Sequence, residues 1–258
     1  MTGSAQVSIA ALRASHERLR ALVEPMDEAA LLAPSAHDWS IAEVLSHLGS
    51  QAEILGTFFD AIVAGEPVPG FEIAQPIWDA WNAKSPVAQR DDSLAANEKQ
   101  IRAIEALDPA AAEAFRMDFI GRQLDLTGYV GIRLNEHAVH AWDVEVALDP
   151  AATIAPSAVA ILVDGVGAVA ARAGKGSPEP YSVRVGTTDP ARDLVVNVGE
   201  QVSIEAADAD ARYDGAIDLP AEAFVRLVFG RLDPDHTPEH SESGARGVAD
   251  LRAVFPGF

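Results

Sequence analysis

Glu136, His137, His140 and Asp143 fall within ten positions, in the stretch NEHAVHAWDV (135–144), inside a run that otherwise reads as a buried helix. Positions four apart share one helix face, about 5–6 Å apart at Cβ. Glu136 and His140 are such a pair and can reach one ion, at about 2.0–2.2 Å if it is zinc. Two ligands from one helix need a third from a neighbour. His47, beside Val44 and Leu48 on the flank of an earlier apolar stripe, is the candidate. Two imidazoles and one carboxylate leave a coordination position open, which marks catalytic rather than structural metal sites. Asp143 shares the face of His140 and can orient its ring through a hydrogen bond. Each residue also has a plainer reading. An E-x-x-x-H pair is a common contact within a helix, and a lone histidine near an apolar stripe is often a core residue. His137 points about 100° away from Glu136 and reads as a boundary residue. Trp39 and Trp142 read as packing residues. HTPEH (236–240), with Pro238 between its histidines, reads as a solvated loop.

The elements that must position these groups follow from periodicity. Residues 7–24 carry Ile9, Leu12, Leu19, Leu22 and Val23 at helical spacing, and Pro25 closes the segment. After a loop at 33–39, the tetrapeptide SIAE (40–43) forms a capping box that opens a helix to about residue 64. Its apolar stripe runs from Ile41 to Ile62, and GEPVPG (65–70) ends it. A third helix is expected over 87–107 and a fourth over 124–148, stopped by Asp149-Pro150. Four such helices predict a four-helix bundle. The pattern changes after residue 150. A helix over 157–173 precedes segments 181–187, 193–199 and 201–206, which alternate with period two and read as antiparallel strands. Residues 213–218 suggest a further strand, 219–231 a helix, and the tail a short helix. The fold class is α+β, with domains expected at 1–150 and 151–258 and a linker at 149–156.

Composition narrows the function. The formal charge of −20 argues against nucleic acid as a partner, since such binding rests on clustered Lys and Arg. There is no cysteine, so disulfides, Cys-ligated zinc and a cysteine nucleophile are excluded, and any thiol must come from outside. The N-terminal stretch does not read as a secretory signal. The longest apolar run (157–173) is broken by Asp164 and two glycines and reads as too short to span a bilayer, so a cytoplasmic protein without a membrane partner is expected. Three Lys against sixteen Arg, with abundant Ala, point to a GC-rich genome.

Taken together, HDWSIAEVLSHLGSQAEIL and NEHAVHAWDVEVALD resemble the DinB-like superfamily, and within it the mycothiol-dependent maleylpyruvate isomerase family. The matching features are Trp39-Ser40 ahead of a helix, His47-Leu48 within it, and Glu136-x-x-x-His140-x-x-Asp143 roughly ninety residues later. LPAEAFVRLVFGRLDP and the ending LRAVFPGF resemble the family's second, sterol-carrier-protein-like domain. The resemblance implies a DinB-like metal-binding bundle followed by that α+β domain. It implies a divalent metal, usually zinc, on His47, Glu136 and His140, and mycothiol, a cysteine-bearing sugar thiol of actinobacteria, as cosubstrate. It also implies a catalytic arginine in the second domain, with Arg231 preferred over Arg226. The activity so implied is cis–trans isomerisation by thiolate addition, rotation and elimination. Conjugation of electrophiles by a mycothiol S-transferase is the alternative. A rival of another class is a non-enzymatic, two-domain ligand-binding or regulatory protein. The expected partners are a small-molecule substrate and mycothiol. The oligomeric state is left open, and a monomer fits.

Overall fold

A computed structural model of the chain describes residues 3–35, 38–119 and 121–257. Residues 36 and 37 of the expected loop, and Phe258 of the expected tail, lie outside them. The chain divides into two compact units, Met1–Thr153 and Ile154–Phe258.

In the first unit, α1 (Gly3–Val23) is followed by a single-turn α2 (Glu28–Leu31) capped by the Asp27 side chain. Next comes α3 (Ile41–Ala64), whose capping box forms as its sequence requires. Ser40 Oγ accepts from Glu43 N at 3.3 Å, and Glu43 Oε2 accepts from Ser40 N at 2.7 Å. The helix ends at Gly65, whose φ of 68° is open to glycine at little cost. Then follow α4 (Ala74–Asn82), α5 (Pro86–Glu105) and the short α6 (Pro109–Ala114). A hairpin of β1 (Met117–Phe119) and β2 (Arg122–Leu124) leads to α7 (Leu126–Leu148). The long helices form the bundle, with α1 packed on α5 and α7, and α3 packed on the same two. Leu19, Val23, Val44, Leu45, Leu48 and Val144 lie in its core.

Besides α2, α6 and the β1–β2 hairpin, two features of this unit lie outside the expectations from sequence. One is α4, which lies along α3 because Gly49 leaves room for it. A Cβ at Gly49 would stand 2.2 Å from the Trp81 ring. Trp81 Nε1 then donates to Glu53 Oε2 at 2.7 Å. The other is a polar interior. Helix α5 buries Gln89, Ser93, Asn97 and Gln100, and α7 buries Arg133, His137 and Asp143. His137 is therefore no boundary residue. It is fully buried, its Nδ1 is 2.9 Å from Ser15 Oγ, and its ring meets that of buried His16 edge-on at 5.8 Å.

The second unit opens with α8 (Pro156–Ala173). Strands β3 (Tyr181–Thr188), β4 (Arg192–Val198), β5 (Val202–Ala206) and β6 (Gly215–Pro220) follow, then α9 (Ala221–Val228), β7 (Ser241–Gly244) and α10 (Val248–Val254). The sheet order is β5-β4-β3-β6-β7. It is antiparallel but for β3 and β6, which run parallel with Val185 opposite Ile217. By length and composition alone α8 is long and apolar enough to cross a membrane, which corrects the sequence reading. In the fold it buries Val159, Leu162, Val163 and Val166 and packs on α9 and β5. His236 and His240 fall in the irregular segment before β7, as their turn-rich context predicts.

The buried histidines make a stability prediction. Burial pushes the His16 imidazole down from 6.5 to about 4. Between those values the unfolded chain holds a proton that the folded chain refuses, so stability falls as pH drops through that window. The loss from His16 between pH 7 and pH 5 should be about 2 kcal/mol. Urea unfolding of a His16→Gln variant should show a correspondingly shallower pH dependence. A slope equal to that of the parent protein would contradict this.

Candidate metal centre

His47 lies two turns into α3, on the flank where the apolar stripe meets solvent, and its side chain is 23% exposed. Glu136 and His140 lie one helical turn apart on α7. Packing of α3 on α7 joins the two sets. His47 Nε2 is 3.1 Å from Glu136 Oε2, and His140 Nε2 is 3.8 Å from the same oxygen. One ligand atom from each residue lies within 4.8 Å of the other two. Atoms bound at about 2.1 Å to one tetrahedral ion stand about 3.4 Å apart, so small side-chain shifts would seat a zinc-sized cation. The donor set, two imidazoles and a carboxylate, suits such an ion.

Asp143 is buried, and its Oδ2 lies 2.8 Å from His140 Nδ1. A carboxylate there holds the proton on Nδ1 and leaves the Nε2 lone pair facing Glu136 and His47. Burial alone would raise the Glu136 carboxyl. The His47 hydrogen bond and the charges of His140, His47 and Arg133 outweigh it and hold the group at about 2. Glu136 is thus an anion across the neutral range.

The residues that hold the two helices in place were not singled out in the sequence. Asn97 on α5 donates from Nδ2 to the Leu48 carbonyl on α3 at 3.3 Å, next in the chain to His47. Its Oδ1 accepts from Arg133 Nη2 on α7 at 2.7 Å, one turn before Glu136. Arg133 Nε also donates to Gln100 Oε1 at 2.7 Å, and Gln100 Nε2 to Tyr129 Oη at 2.7 Å. Tyr129 in turn donates to the Leu55 carbonyl on α3 at 2.9 Å. A single buried network therefore ties α3, α5 and α7 together near His47 and Glu136. The polar positions Ser93, Asn97 and Gln100, spaced at helical intervals on α5, were the signal that could have revealed it.

Trp142 is buried, as its packing role requires, and its Nε1 donates to the Ala152 carbonyl at 2.9 Å. Trp39 is not a core residue. It is 42% exposed, with its ring centroid 5.3 Å from that of His47 and 6.0 Å from that of His140.

The two arginine candidates belong to the second unit. Arg226 is buried and forms a fork with Glu222, Nε to Oε1 at 2.7 Å and Nη2 to Oε2 at 2.9 Å. That pairing gives it a structural partner. Arg231 follows Gly230, whose φ of 72° reverses the chain after α9 so that Arg231 N donates to the Arg226 carbonyl at 2.7 Å. Arg231 Nη1 donates to the Phe229 carbonyl at 2.7 Å.

A profile of the mycothiol maleylpyruvate isomerase N-terminal domain matches residues 12–145. Among solved structures, a crystal structure of the mycothiol-dependent maleylpyruvate isomerase aligns with 90% of this chain and 92% of its own, at a TM-score of 0.66 and 16% identity. A histidine-to-alanine mutant of that isomerase aligns over the same shares, at 0.67 and 15%. At such identity the likeness establishes the fold. No curated protein matches this sequence significantly.

Two variants test this geometry. Asp143→Ala should raise the zinc dissociation constant by about 10–100-fold while circular dichroism shows the helices intact. Asn97→Leu should weaken zinc binding by about tenfold, although Asn97 is no ligand, because α3 and α7 lose their shared anchor. Chelator competition measures both. Unchanged zinc affinity in either variant would contradict the role given to that residue.

Proposed function

Because this chain belongs to the mycothiol maleylpyruvate isomerase family, we propose that it is a metal-dependent enzyme that uses mycothiol as nucleophile to isomerise a cis-enedioic substrate of the maleylpyruvate kind. The observation that carries this reading is the convergence of His47, Glu136 and His140 from two helices. A divalent cation held by these residues, zinc by their chemistry, would stabilise the thiolate of an incoming thiol whose free pKa is near 8.5.

The protein's own groups do the rest. Glu136, ionised at neutral pH, sets the charge of the centre. Asp143 fixes the His140 ring. No side chain of this chain has to act as sulfur nucleophile, in keeping with the lack of cysteine. The mycothiol thiolate adds to the activated double bond, and the electron pair moves onto the conjugated carbonyl. Rotation about the new single bond follows. Return of the pair expels the same thiolate and restores the double bond in the trans form. We retain Arg231, buried with its Nη1 on the Phe229 carbonyl, as the catalytic arginine that the family resemblance implies for the second unit. We place the reaction in the cytoplasm.

His47→Ala should lose both bound zinc and thiol-dependent turnover, by at least 100-fold, with helical content retained. Full zinc stoichiometry in that variant would overturn the assignment. Mass spectrometry of the parent reaction should show free mycothiol returned unchanged. Accumulation of stable S-adducts would identify a transferase instead.

A further inference from the structure

Trp39 needs an explanation that packing does not supply. An indole is a large apolar surface that a fold normally covers. Here it is 42% exposed, yet it stands against the two imidazoles of the candidate metal centre. Its plane lies 24° from that of His140 and 43° from that of His47. The backbone at Trp39 and just after it is hydrogen-bonded. The Trp39 carbonyl accepts from Ser35 N and from Ser35 Oγ, each at 2.8 Å. The next residue, Ser40, bridges to Pro34 and caps α3. A half-exposed ring beside the candidate metal centre, on a hydrogen-bonded stretch of backbone, can serve as a stacking platform.

The chemistry of the ring selects what stacks on it. The face of an indole is electron-rich. It repels the conjugated dianion of an enedioic substrate. It attracts the weakly positive C–H face of a polyol ring. Resting on the mycothiol reading above, we propose that Trp39 is a binding residue for the thiol cosubstrate: it stacks on a sugar or cyclitol ring of mycothiol and so selects that thiol over smaller ones at the metal centre formed by His47, Glu136 and His140.

Calorimetric titration of the zinc-loaded full chain with mycothiol and with N-acetylcysteine, which has the thiol but no sugar, tests this. The parent protein should bind mycothiol more tightly than N-acetylcysteine. Trp39→Ala should weaken mycothiol by about tenfold, leave N-acetylcysteine unchanged and keep its full zinc content. Trp39→Phe should recover most of the loss. Equal weakening of both thiols, loss of zinc from Trp39→Ala, or no change in either thiol would overturn the platform. So would equal affinity of the parent protein for the two thiols, while leaving the thiol-dependent reading intact. A zinc-loaded parent that binds neither thiol would overturn that reading, and the platform with it.

Discussion

The centre depends on the coupling of two helices that are distant in the chain. His47 and Glu136 are 89 positions apart, yet His47 Nε2 and Glu136 Oε2 stand 3.1 Å from each other. Apolar packing between α3 and α7 cannot set that register alone, because apolar contacts are non-directional. Hydrogen bonds are directional, and Asn97 makes one to each helix, at Leu48 and at Arg133. Both acceptor and donor sit within one turn of His47 or Glu136. The network is buried, so a lost partner leaves an unsatisfied polar group in a dry interior. This is why a bundle that could have been filled with leucine carries amides along α5.

The same interior explains the charge state of the site. Arg133 is almost fully buried, and its side-chain partners Asn97 and Gln100 are neutral amides. Its positive charge is therefore felt at Glu136, one turn along the helix, and helps to keep that carboxylate ionised although burial opposes it. His16 on α1 and His137 on α7 meet between those helices, and both are driven toward the neutral form. Polar groups thus divide into two sets. One faces the centre and carries charge. The other faces the core, stays uncharged and ties stability to pH.

Much of this was legible in the sequence, for identifiable reasons. The capping box at Ser40 and Glu43 marked the start of α3, and the i,i+4 spacing put Glu136 and His140 on one face. Asp143 was readable from its place three residues beyond His140. The strands of the second unit showed through period-two alternation, although their order, with β6 parallel beside β3, leaves no local trace. Helix α4 carries Ala74, Ile77, Trp78 and Trp81 at helical spacing, but its nine residues are too few for that stripe to stand out, and the room that Gly49 leaves for Trp81 has no local trace. His137 was misread because its angular offset from Glu136 turns it toward α1, where a histidine is buried and not at a boundary. Trp39 was misread because indoles pack far more often than they line open sites, and nothing local tells the two apart.

What joins these observations is our proposal that His47, Glu136 and His140 would hold one cation with a position left for sulfur. Zinc X-ray absorption of the loaded protein, before and after addition of mycothiol, measures that directly. The account predicts two imidazole nitrogens and oxygen ligands at about 2.0–2.2 Å, and a sulfur at about 2.3 Å in place of an oxygen once the thiol is present. A ligand shell without two imidazoles, or a spectrum that mycothiol leaves unaltered, would contradict it.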